Sequence, residues 1–120
     1  MTKKIYDLER RTTEFAKRVI RLCKELSKNI INNPLISQIV RLSGSIGANY
    51  REANDALGKK DFTHRLRISR KEAKETKHWL ELITEANPEI KPKLKDLKQE
   101  NQELINILSA IISKTEKAKK

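Results

Sequence analysis

Apolar residues recur at intervals of three, four and seven along four long stretches of this chain, and no other feature constrains its fold as tightly. In the first stretch Leu8, Phe15, Val19, Leu22, Leu26 and Ile30 share one helical face, widened by Ala16, Cys23 and Ile31. In the second the line is Leu35, Ile39, Leu42, Ile46, Tyr50, Ala53 and Leu57. In the third it is Phe62, Leu66, Ser69, Ala73, Thr76, Leu80 and Ile83, with Ile68, Trp79 and Leu82 beside it. The fourth carries Leu94, Leu97, Asn101, Leu104, Leu108 and Ile111, flanked by Ile105, Ile107 and Ile112. Asn101 interrupts a nearly heptad line, where a polar residue can fix register at some cost in stability.

Breakers separate the stretches. Asn33 and Pro34 end the first and open the second, with Asn33 as the expected cap. Gly58 is expected to close the second with the conformational freedom of a C-terminal glycine, placing Lys59 and Lys60 near the negative end of that helix. Asp61 is then the expected cap of the third. Asn87-Pro88 and Pro92 bracket a short connector before the fourth. The predicted helices span about 7–31, 34–57, 61–86 and 93–115, followed by a frayed basic tail, 116–120. Such short links force antiparallel neighbours, so the expected fold is all-α, an up-down-up-down four-helix bundle in a single domain, 1–120. Two helical hairpins that complete their cores by dimerising are the alternative.

Composition agrees with long solvated helices: 36% of residues are charged and only 4% aromatic. The single cysteine, Cys23, excludes an intrachain disulfide and reads as a buried thiol in a reducing compartment. No apolar run is long enough to span a bilayer, and MTKKIYDLER lacks the core of a secretion signal, so a cytoplasmic location and no membrane partner are expected.

Chemistry is sparse. His64 and His78 lie too far apart for a compact zinc site, Glu72 and Glu75 read as part of a solvated, ion-paired face, and Gly44 and Gly47 lack the pattern of a phosphate loop. No catalytic residue, metal or cofactor is expected. The net charge of +11, by contrast, points to an anionic partner. Arg65, Arg67, Arg70, Lys71, Lys74 and Lys77 crowd the polar side of the third helix, with Arg51, Lys59 and Lys60 as neighbours that could join them in contacting phosphates. Glu72 and Glu75 dilute this patch, and no base-reading motif is present, so the expected binding of RNA or DNA has little sequence preference. A protein-interaction scaffold, in which charge serves solubility or steering, is the competing reading.

The stretch RLSGSIGANYREAND, Arg41 to Asp55, places two glycines inside a helical pattern, each costing about 1 kcal/mol relative to Ala. Close approach of another helix at Gly44 and Gly47 is the expected compensation, with Ser45 or Asn49 hydrogen-bonding across the contact.

SIGANYREAN (Ser45–Asn54) followed by KKDFTHRLRISRKEAKETKHWLELI (Lys59–Ile83) resembles the family of small bacterial four-helix-bundle proteins first known from open reading frames in intervening sequences of large-subunit ribosomal RNA genes. The matching positions are Arg41, Ser45, Ile46, Asn49 and Glu52, then Asp61, Phe62, Leu66, Ile68, Lys71, Glu72, Ala73, Glu75, Trp79 and Leu80. Gly44, Ser69 and His78 depart from the usual residues. The resemblance implies a left-handed antiparallel bundle assembled into a homo-oligomer, with a homopentamer as the associated form. It extends to accessory proteins of diversity-generating retroelements, which bind nucleic acid and a reverse transcriptase. It supplies no catalytic residue.

Overall fold

The computed structural model describes residues 7–118, side chains to Lys117, so Met1–Tyr6 and the last residues of the expected basic tail lie outside the described residues. Four helices account for almost all of it: α1 (Leu8–Glu25), α2 (Asn32–Asn54), α3 (Lys59–Ala86) and α4 (Lys91–Ala118), with a 3-10 turn, Pro88–Ile90, before α4. Each helix packs on its neighbours in the chain, and α1 closes the ring against α4. The bundle measures 50 × 25 × 20 Å.

Contacts between helices run in opposite directions along the chain, as antiparallel neighbours require. Arg67 pairs with Glu116, Arg70 donates to Ser109, and Lys77 donates to Gln102. Between α1 and α4, Arg11 grips Glu100 through Nε and Nη2, at 3.0 and 2.7 Å, and reaches Glu103, while Lys93 pairs with Glu25. The hydrogen bonds to Glu100 raise the Arg11 pKa further, so the guanidinium stays charged.

The core follows the apolar lines closely. Leu8, Phe15, Val19, Leu22 and Leu26 are buried against Ile39, Ile46, Tyr50, Leu66, Leu80, Ile83, Leu94, Leu104 and Leu108. Thr12 and Thr63 are buried too, and Phe62 is half-buried. Asn101 sits wholly inside, donating from Nδ2 to the Ala73 carbonyl at 3.1 Å, while its Oδ1 has no protein partner. A polar group committed across a helix interface in this way favours one register over its slips.

The helix ends depart from the sequence expectations. α1 stops at Glu25, where Leu26 turns extended, and Ile30 and Ile31 are 88% and 60% exposed instead of joining the core. Local amides outcompete the helix here. Asn29 Oδ1 accepts the backbone N–H groups of Ile31 and Asn32, so Asn29 and not Asn33 satisfies the start of α2. Asn32 then turns its side chain inward and exchanges hydrogen bonds of 3.0 and 2.9 Å with Asn87, tying the α1–α2 link to the end of α3. Pro34 and Pro92 stand inside the first turns of α2 and α4, where a missing N–H costs nothing.

At the other end, α2 finishes at Asn54 and Leu57 is fully exposed. Gly58 does not close α2. It precedes α3 in an extended conformation (φ −171°) open to any residue, so left-handed freedom is not its role. Lys59, Lys60 and Asp61 therefore form the first turn of α3, which puts the two lysines at its positive end, away from the negative end of α2. α4 continues through residues 116–118 of the expected tail.

Candidate nucleic-acid interface

The α2 segment that carries the two glycines divides their roles. A Cβ at Gly47 would stand 2.8 Å from Thr12 Oγ1 and 3.2 Å from Thr12 Cβ, so α1 approaches α2 too closely for any side chain there. At Gly44 nothing lies within 4 Å; the expected seam exists at Gly47 and not at Gly44. Ser45 hydrogen-bonds back to the Arg41 carbonyl of its own helix. Asn49 does cross, donating from Nδ2 to Glu72 Oε1 at 2.7 Å. A second crossing was not legible: Ser69 Oγ donates at 2.8 Å to the Ile46 carbonyl, wholly buried. Its signal was the hydroxyl on the apolar line of α3.

Glu72 is half-buried under this contact. Burial raises its pKa and Glu75 adds to the rise, against the lowering pull of Asn49, Arg41 and Lys71. Glu52 is exposed.

On the outer side of α3, next to α2, an open depression of about 650 Å³ collects five cations: Arg41 from α2 with Arg67, Arg70, Lys71 and Lys74 from α3. Glu75 is the one acid in its wall, and His78, Trp79, Gln38 and Leu42 complete it. Gln38 accepts a 2.7 Å hydrogen bond from Arg41 and steadies its guanidinium. Among the described residues Arg41, Arg70, Lys71 and Lys74 form no ion pair, whereas Arg67 is paired with Glu116. From the sequence Arg41 is expected only as a position of family resemblance, since it stands well before the run of basic residues on α3. His78 and Trp79 meet edge to face, ring centroids 5.4 Å apart at 70°, with His78 exposed and Trp79 partly packed on the core.

The remaining predicted phosphate contacts lie elsewhere. Lys77 turns to Gln102 on α4. Arg65 stands 3.9 Å from Asp61, and Lys60 shares a separate depression with Asp61, His64 and Arg67; Lys59 is exposed at the helix start. Arg51 is engaged on α1 by Glu9 and Thr13, both at 3.1 Å, and does not line the α3 depression. Among the described residues no group of three His, Cys, Asp or Glu gathers to hold a metal. No described helix is long and apolar enough to cross a membrane.

A second surface is apolar. Ile20, Cys23, Ile36 and Val40 line a depression of about 300 Å³ between α1 and α2, rimmed by Lys24 and Lys28. Burial pushes the Cys23 thiol up to about 11, so it stays protonated and unreactive at neutral pH.

These features define an all-helical bundle with a close-packed seam and a cation-lined outer face. The profile of the family described as 23S rRNA-intervening sequence protein matches residues 5–110, and the chain belongs to that family. A solved structure from Bacteroides thetaiotaomicron, described as a protein with unknown function from the S23 ribosomal protein family, superposes with a TM-score of 0.77 at 33% identity. It covers 87% of this chain and 96% of its own. Among curated proteins none matches the chain.

Proposed function

We propose that this protein is a self-associating basic bundle that holds nucleic acid by its phosphates on the outer face of α3. The observation that carries the reading is the convergence of Arg41, Arg70, Lys71 and Lys74, none of them ion-paired among the described residues, on one depression with a single acid in its wall. Opposing carboxylates would neutralise such a cluster; here Glu75 in the wall and half-buried Glu72, on which Arg41 and Lys71 act, offset only part of its charge. The family's name refers to 23S rRNA genes as the place where its members are encoded, and RNA and DNA are both candidate partners.

Self-association supports the same function, because repeated copies of a weak patch act at a raised effective concentration. The apolar depression at Ile20, Cys23, Ile36 and Val40, with exposed Ile31 nearby in the chain, is the surface that favours it. A homopentamer is the assembly expected from the family resemblance, and light scattering coupled to size separation counts the subunits. The protein works by holding its partner, with no chemical step.

Titration of the protein into labelled RNA and DNA at stepped salt tests the reading. Affinity should fall steeply with salt, with little dependence on sequence. The double substitution Lys71→Glu, Lys74→Glu should weaken binding at least about tenfold and flatten the salt dependence, by roughly 0.7 in slope for each single-strand phosphate contact removed. Absence of binding at about 50 mM salt would overturn the proposal.

A further inference from the structure

The depression on α3 holds more than charge. Its wall includes two adjacent rings, exposed His78 and half-buried Trp79, fixed edge to face at 5.4 Å and 70°, among Arg41, Lys71 and Lys74. The cations serve any phosphate backbone. The rings serve only a base whose face is free, because a paired base inside a duplex is stacked on both sides and cannot reach them.

Resting on the phosphate-binding reading above, we infer that this site selects unpaired strands, with one base stacked on the exposed His78 ring, which Trp79 backs edge to face, while Arg41, Lys71 and Lys74 hold the flanking phosphates. His78 rests edge to face against Trp79, so the ring that receives the base is already backed by a second side chain. Every base has a flat face, so the selection is for single-strandedness and not for sequence. The arrangement accepts ribose or deoxyribose strands alike, since the rings read only the base.

Trp79 is the only tryptophan in the chain, so its emission reports this site alone. The full-length protein is titrated with oligouridine and with a blunt RNA duplex of equal phosphate count, at equal salt, following both anisotropy of the nucleic acid and Trp79 emission. The expected result is tighter binding of the single strand, with quenching of Trp79 by that strand and little by the duplex. His78→Ala, at an exposed position outside the core, should weaken single-strand binding at least about fivefold more than duplex binding, as loss of a stacking surface does. Equal affinity for both forms, with both still dependent on Lys71 and Lys74, would overturn the single-strand inference and leave the phosphate reading standing. Failure of both forms to bind at about 50 mM salt would overturn both readings.

Discussion

Gly44 and Gly47 lie less than one turn apart on α2, yet they face different parts of the molecule. Gly47 meets α1, where Thr12 fills the space a side chain would need, and Thr12 is held in turn by the carbonyls of Leu8 and Glu9 at 2.9 and 3.1 Å. Gly44 faces outward with nothing within 4 Å. The contrast shows that a small residue in a helix is explained by what stands opposite it, and that neighbouring glycines need not share a reason. The same division runs through the whole bundle. The seams use Gly, Ser, Thr and Asn at close range, while the outer face of α3 is built from long cations, of which Lys71 and Lys74 are exposed.

The same substitution at the two glycines should separate them most sharply. Gly47→Leu drives a branched side chain into Thr12 and should cost about 3 kcal/mol of stability, or change the oligomer, because a packed seam has no room to relax. Gly44→Leu should instead gain about 0.5–1 kcal/mol from helix propensity alone. Denaturant unfolding of both variants beside light scattering reads the pair. An unchanged assembly of unchanged stability for Gly47→Leu would break the seam argument.

Ser69 sharpens the comparison from within the seam. Its hydroxyl joins α3 to the Ile46 carbonyl on α2 and the residue is wholly buried. Ser69→Ala removes the bond but leaves a methyl group of suitable size. The expected loss is about 1 kcal/mol in urea unfolding, the ordinary net worth of one such hydrogen bond. A stability unchanged within error would mean that the packing around Ile46 and Ala73 holds the α2–α3 contact without it.

The core was legible because burial demands a period. Leu8, Phe15, Val19, Leu22 and Leu26 could face inward together only on a helix, and the short links then dictated antiparallel neighbours. The helix ends were less so. Ile30 and Leu57 continued the apolar lines in sequence, yet both are exposed because the chain had already left the helix. The local competition of Asn29 for backbone N–H groups, and the pairing of Asn32 with a residue 55 positions away, leave no periodic trace. The site divided in the same manner. The cations of α3 stood out as a run, whereas Arg41 joins them only through packing of α2 on α3, and Arg51 leaves them because Glu9 and Thr13 on α1 claim it.

Glu72 lies where the two kinds of surface meet, which makes it the smallest and most discriminating test. Its carboxylate accepts from Asn49 in the seam at 2.7 Å, and Arg41 and Lys71 of the cationic face act on it from the other side. Burial wins, so its pKa in the folded chain is raised. The folded chain therefore holds this proton over a range where the unfolded chain has lost it. Stability from this group falls as pH rises from the ordinary carboxylate value of about 4.3 through the raised one, and the cost remains at neutral pH. Glu72→Gln keeps an oxygen for Asn49 and removes the charge. It should melt slightly above the parent at pH 7, by well under about 1 kcal/mol because the group is partly solvated, and the two should converge below about pH 4. A lower melting temperature for the variant at pH 7 would mean that Arg41 and Lys71 stabilise the ionised form by more than burial costs it. Part of the cationic face would then be spoken for by Glu72, and the charge available to an external phosphate would be correspondingly smaller.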